Sequence, residues 1–126
     1  MNGSFGAEHW PLEIRHKQEE RELEIEFDDG AVFTLPAELL RVESPSAEVQ
    51  GHGPSQKKLI AGRREVGIMA IEPVGNYAIR ISFDDLHDTG IYTWSYLYEM
   101  GTNLEQVWRD YIDALEAAGL SRDPKA

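Results

Sequence analysis

The sequence contains no cysteine. That excludes disulfides, thiolate metal sites, cluster ligation by this chain and a cysteine nucleophile. Cationic residues are scarce too. Twelve Lys and Arg stand against 23 Asp and Glu, a formal net charge of −11 over 126 residues with the four His neutral. General nucleic-acid binding draws its affinity from cations displacing phosphate counterions, so a polyanion of this kind is set aside as a binder. No apolar run approaches the roughly 20 residues needed to cross a bilayer, so no membrane partner is expected. Met1 to Gly6 lacks a basic stretch leading into an apolar core, hence no secretory signal is read there. The formal glycosylation pattern Asn2-Gly3-Ser4 then has no export route to give it meaning. The expected location is the cytoplasm.

What is present suits one small domain. A 41% hydrophobic share and three Trp furnish a single core, and the length leaves no room for a second. The reading is a flexible tail over 1–9, a domain over 10–120 and a second tail over 121–126.

Leu12 and Ile14 alternate with polar neighbours and predict a first strand. Leu23, Ile25 and Phe27 alternate against Glu22, Glu24, Glu26 and Asp28, a half-buried strand with an acidic outer face. Asp29-Gly30 suits the positive φ angles of a hairpin turn, and Ala31 to Leu35 returns as its partner. Pro36 fits the first position of a short helix bearing Leu39, Leu40 and Val42, which Ser44-Pro45 stops. Gly51, Gly53, Pro54 and Ser55 mark an exposed loop over 50–58.

From Val66 a second block begins, with apolar residues at both parities through Ile71, which predicts a central strand. Pro73 to Asn76 reads as a turn, Tyr77 to Phe83 as a strand and Ile91 to Trp94 as a short last one. Tyr96, Leu97 and Met100 share a helical face, with Gly101 as a left-handed stop and Thr102–Glu105 as a capping box. Leu104, Val107, Trp108, Tyr111, Ile112 and Leu115 then form the apolar stripe of a long helix ending at Gly119. The class is α+β, a small antiparallel sheet with short helices and a long C-terminal amphipathic helix laid on it.

The densest chemistry lies in Phe83-Asp84-Asp85-Leu86-His87-Asp88-Thr89-Gly90. Three carboxylates around an imidazole suit a divalent metal or acid–base work, while Asp and Gly in such a run equally suit a hairpin loop that caps its own backbone. As a calcium loop it fails, because Leu86 interrupts the alternating oxygen ligands. Ser44 and Ser46 lack a Gly-x-Ser-x-Gly elbow and read as capping residues. Lys57, Lys58, Arg63 and Arg64 form a cationic stretch opposite the Glu22, Glu24, Glu26 face. Together they read either as solvating charge that guards an exposed strand edge or as a dipolar docking surface for a protein partner.

Phe27-Asp28-Asp29-Gly30, Leu35-Pro36-Ala37-Glu38-Leu39-Leu40-Arg41-Val42, Ser44-Pro45-Ser46-Ala47-Glu48-Val49, Pro73-Val74-Gly75-Asn76-Tyr77 and Phe83 to Tyr92, leading to Trp94 and Leu97, occur in that order. From about Trp10 to Met100 the chain resembles the bacterial family of uncharacterised proteins related to the N-terminal domain of gamma-butyrobetaine hydroxylase. The resemblance implies a small α+β domain. In the oxygenases such a domain precedes a catalytic barrel, and in some iron–sulfur scaffold ATPases it is appended to the nucleotide-binding domain. It also implies a structural zinc held by three Cys and a distant His. Aligned on Leu40-Arg41, the three Cys positions carry Ser44, Ser46 and Val49, and His87 matches the His. A neutral hydroxyl is a feeble replacement for a thiolate and Val offers no donor, so no zinc is expected there.

Two functions follow as expectations. The first is a non-catalytic protein-interaction module, without cofactor, auxiliary to iron–sulfur or oxygenase proteins. The alternative is a binder of one divalent metal, iron or zinc, centred on His87 with His52 and a carboxylate from Asp84, Asp85 or Asp88. No complete nucleophile–base pair is legible, so no enzyme is expected.

Overall fold

The structure, a computed structural model, describes residues 9–124. The predicted N-terminal tail lies, except for His9, outside the described residues, as do 125 and 126 of the second tail. The class is α+β, with two three-stranded antiparallel sheets rather than one. The first comprises β1 (Pro11–Lys17), β2 (Glu22–Phe27) and β3 (Val32–Pro36) in the order β1-β2-β3. Then come α1 (Ala37–Val42), α2 (Ala47–Gln50) and a 3-10 turn over Pro54–Gln56. The second sheet has β4 (Ile68–Val74), β5 (Ala78–Phe83) and β6 (Gly90–Thr93) in the order β4-β5-β6. The chain continues through α3 (Trp94–Thr102) and α4 (Leu104–Ala117).

The β2–β3 turn forms as its residues dictate. Gly30 takes φ 90°, its N–H donates to Phe27 O at 3.0 Å, and Asp29 Oδ1 accepts from Ala31 N at 3.0 Å. Leu23, Ile25 and Phe27 are fully buried and join Leu35, Ile79, Ile81, Phe83, Tyr92 and Leu97 in one cluster drawn from both sheets. Each such side chain contributes about 1.5–3 kcal/mol by leaving water. α4 adds Tyr111 and Leu115 and ends in a left-handed residue, Gly119 (φ 69°). There Gly119 N bonds Glu116 O at 3.1 Å and Leu120 N bonds Leu115 O at 2.9 Å, satisfying the last carbonyls.

Several local expectations are corrected. β4 is an edge strand beginning at Ile68, not a central one from Val66, and Met69 is 61% exposed; β5 takes the central place. β2 is likewise central, so its acidic face guards no sheet edge. Pro36 is the N-cap residue of α1 and closes β3, one position earlier than predicted. Pro73 and Val74 belong to β4, Tyr77 to the turn after it, and Trp94 opens α3 instead of ending β6. Gly101 lies inside α3 and is not its stop. A Cβ there would sit 2.3 Å from the Phe33 ring, so the glycine is required by the close approach of helix and β3. The capping box does not form. Thr102 Oγ1 donates to Tyr98 O at 2.9 Å, and Asn103 caps α4 without a side-chain bond.

Candidate functional site

The phrase Ser44-Pro45-Ser46 and the Asp-rich hairpin between β5 and β6 meet in the interior. Ser46 caps α2, its Oγ accepting from Glu48 N at 3.1 Å. It also shares a 2.6 Å hydrogen bond with Thr89 Oγ1 across the two segments. Ser44 is fully buried, and its Oγ lies 2.9 Å from His87 Nε2 while accepting from Ser46 N at 3.2 Å. On the other side of the ring, His87 Nδ1 lies 3.1 Å from Glu48 Oε1. His87 is itself buried.

Burial lowers the His87 pKa, with the Arg41 guanidinium acting in the same direction and Glu48 and Asp85 opposing. The neutral ring then has one consistent assignment. Nδ1–H donates to Glu48, Nε2 accepts the Ser44 hydroxyl proton, and Ser44 accepts from the backbone.

Leu86 turns the loop so that its neighbours face inward. It adopts φ 75°, unusual for a residue with a Cβ, and is 80% exposed. Inside, Asp85 Oδ2 accepts from Arg41 Nε and Arg63 Nε, both at 2.7 Å. Burial acts to raise the Asp85 pKa. The His87 N–H at 3.2 Å and the two guanidinium groups outweigh it and hold the carboxylate below its ordinary value. The Tyr92 hydroxyl donates to Leu40 O, and burial pushes its phenol far above the usual range.

An acid–imidazole–hydroxyl relay has therefore assembled from Glu48, His87 and Ser44, which the sequence reading missed. Ser44 and His87 are 43 residues apart, and no local spacing announces such a pair. Its hydroxyl is sealed. A Cβ at Gly90 would come within 2.5 Å of Ser44 Oγ and 3.0 Å of the Tyr92 ring, so β6 closes directly over it. A nucleophile needs room for a carbonyl carbon at its oxygen, and Ser44, fully buried beneath Gly90, has none in this packing.

Nor do these residues fit zinc. Both ring nitrogens of His87 are engaged, the hydroxyls of Ser44 and Ser46 are neutral and already paired, and Val49 is buried without a donor atom. His52 does not join His87. Its backbone N–H bonds Gln56 Oε1 at 3.0 Å, and the Asp84 N–H bonds Gly67 O at 2.9 Å. Among the described residues, the group of three imidazole and carboxylate ligand atoms lying within 4.8 Å of one another belongs to His9, Asp28 and Asp29, not to His52, His87 and Asp84, Asp85 or Asp88. In that cluster Asp28 accepts from Trp10 N at 3.2 Å, and Asp29 from Tyr98.

The charged stretches are largely engaged within the chain. Arg15 bridges Glu24 at 3.1 Å and Glu26 at 3.4 Å, and Lys17 reaches Glu24 at 3.5 Å, while Glu22 faces Lys17 in the β1–β2 register. Lys57 pairs with Glu43 at 2.6 Å, Arg63 with Asp85 and Arg64 with Asp123 at 2.5 Å; Lys58 is exposed. Apolar surface is exposed elsewhere. An open groove of about 620 Å³ runs between β1 and β4, lined by Leu12, Ile14, His16, Ile71, Pro73 and Trp94. Leu12 is 65% exposed there.

Fold and site together define a small α+β domain built around a buried polar seat. The family described as gamma-butyrobetaine hydroxylase-like, N-terminal, matches residues 14–98, and the chain belongs to it. Among solved structures, two NMR solution structures resemble it at TM-score 0.81. One is 46% identical, over 94% of this chain and 93% of the other; the second is 45% identical, over 100% and 93%. A crystal structure of a protein of unknown function in the DUF971 family, from Acidithiobacillus ferrooxidans ATCC 23270, is 37% identical over 72% of this chain and 91% of the other, with TM-score 0.62. No curated protein matches the chain. Among the described residues no helix is long and apolar enough to cross a membrane.

Proposed function

We propose that this protein is a non-catalytic, cofactor-free interaction module of the cytoplasm, which receives a protein partner in the β1–β4 groove. One contrast carries the reading: the Glu48–His87–Ser44 relay is closed beneath Gly90, whereas Leu12 stands 65% exposed beside Ile71 and Trp94. Such open apolar surface on a small domain suits a partner better than solvent. The occupant we assign is an apolar segment flanked by basic residues, because the chain carries −11 and its own cations are mostly paired. Pro73 on β4 removes a ladder donor, which favours side-chain insertion over strand addition. The family's fusions make iron–sulfur scaffold ATPases and oxygenases the candidate partners.

Two measurements test this. Folded protein treated with a fluorophosphonate is expected to carry no adduct on Ser44 by mass spectrometry. Stoichiometric labelling that His87→Ala abolishes would overturn the non-catalytic reading. With a purified iron–sulfur scaffold ATPase as probe, Leu12→Asp and Ile71→Asp are each expected to weaken binding about tenfold or more, the scale of one buried apolar contact. Unchanged affinity in both variants would remove the groove from the account.

A further inference from the structure

Ser121 to Pro124, read from sequence as part of a free tail, is instead strapped across the molecule. Gly62 N donates to Ser121 O at 2.9 Å, and Arg64 N to Arg122 O at 3.0 Å. Between those bonds the Arg122 side chain reaches α1. Its Nε lies 2.9 Å from Glu38 Oε2 and its Nη2 2.6 Å from Glu38 Oε1, a two-pronged grip on one carboxylate. The guanidinium carbon also stands 4.8 Å from the Trp108 ring centroid of α4. Glu38 is 5% exposed, and among the described residues Arg122 alone bonds its carboxylate.

A planar cation with parallel N–H donors meets a fork of acceptors below and an aromatic face beside it. A lysine ammonium matches the charge but neither the fork nor the ring plane. The strap itself is held by little else, two main-chain bonds and the Arg64–Asp123 pair at 2.5 Å. If the strap opens, the Glu38 carboxylate loses its counter-ion and both prongs of its hydrogen bonding, a state that favours acquiring another guanidinium.

We propose that Glu38 and Trp108 form an arginine-recognition socket, filled in this state by Arg122 of the same chain, which an arginine side chain of a protein partner takes over when the strap swings away. The socket lies on α1 and α4, apart from the β1–β4 groove, and its test uses no partner protein, so the two readings fail separately. Arg122→Ala vacates the socket. The probe is N-acetyl-arginine amide, followed by the NMR shift of the Trp108 indole N–H, with N-acetyl-lysine amide as control. Arg122→Ala is expected to bind the arginine probe at least tenfold more tightly than the lysine probe, and more tightly than the unaltered protein does. Adding Glu38→Gln to it is expected to abolish the preference. Equal binding of both probes, or of neither, by folded Arg122→Ala would overturn the proposal. A second readout covers loss of folding in that variant. In the unaltered protein, saturating arginine probe is expected to speed amide exchange at Gly62 and Arg64, and the lysine probe is not. Unchanged exchange would equally overturn it.

Discussion

Replacing Ser44 by Ala and, separately, Glu48 by Ala divides a structural seat from a catalytic relay by stability alone. Ser44→Ala removes the partner of His87 Nε2 at 2.9 Å and the acceptor for Ser46 N at 3.2 Å, both in the interior. Each buried polar group left unpaired costs about 1–3 kcal/mol. Allowing for partial relaxation around so small a void, the expected loss is about 2–4 kcal/mol, a large share of the roughly 5–15 kcal/mol of a typical domain. Glu48 offers the opposite case. Its side chain is 63% exposed against 4% for the ring, so its truncation lets water reach and satisfy His87 Nδ1–H instead of leaving it unpaired. Glu48→Ala should cost less than about 1 kcal/mol. The assay is urea denaturation followed by tryptophan fluorescence, with the slope checked for constancy so that midpoint shifts report stability. A Glu48→Ala loss equal to that of Ser44→Ala, or a neutral Ser44→Ala, would refute the assignment of donors and acceptors in the seat.

Stability should also fall on mild acidification. The native fold lowers the His87 pKa, so between that value and the unfolded one near 6.5 the unfolded chain binds more protons. His87's contribution is thus complete above about pH 6.5 and declines below it, by at most about 1.4 kcal/mol per pH unit. His87→Gln should flatten that part of the curve, and an unflattened curve would assign the slope to other groups. Asp85, held low, acts in a separate window, its contribution lost only as pH falls below about 4. At Gly101, Ala should destabilise by about 1–3 kcal/mol through overlap with Phe33, partly offset by about 1 kcal/mol of helix propensity. In a Phe33→Ala background the overlap is gone and the same change should stabilise. An equal penalty in both backgrounds would show that the glycine is needed for its backbone angles.

Elements specified by local chemistry were legible in the sequence. Asp29-Gly30 can hardly be anything but a tight turn between alternating strands, and the stripe from Leu104 to Leu115 has the period of a helix on a core. Gly101 was misread because a helical glycine near Thr102 and Glu105 carries the same local signal whether it ends a helix or admits a neighbour's ring. Phe33, which decides the matter, is 68 positions away in sequence. β4 was misread for a related reason. Apolar residues at both parities predict two buried faces, but the pairing gives the central place to β5 and leaves Met69 in water.

The seat shows the same division at the level of function. Ser44, Ser46 and His87 were individually visible as positions where the family resemblance implies metal ligands, yet their present roles depend on Glu48 and Thr89, two residues with no motif of their own. A hydroxyl at position 44 fits beneath Gly90 because the glycine has no Cβ, and that same closeness encloses the hydroxyl. The hydrogen bonds that make this seat resemble a relay are thus the ones that tie α2 to the β5–β6 hairpin. Opening it enough to admit a substrate would break the bonds that orient it.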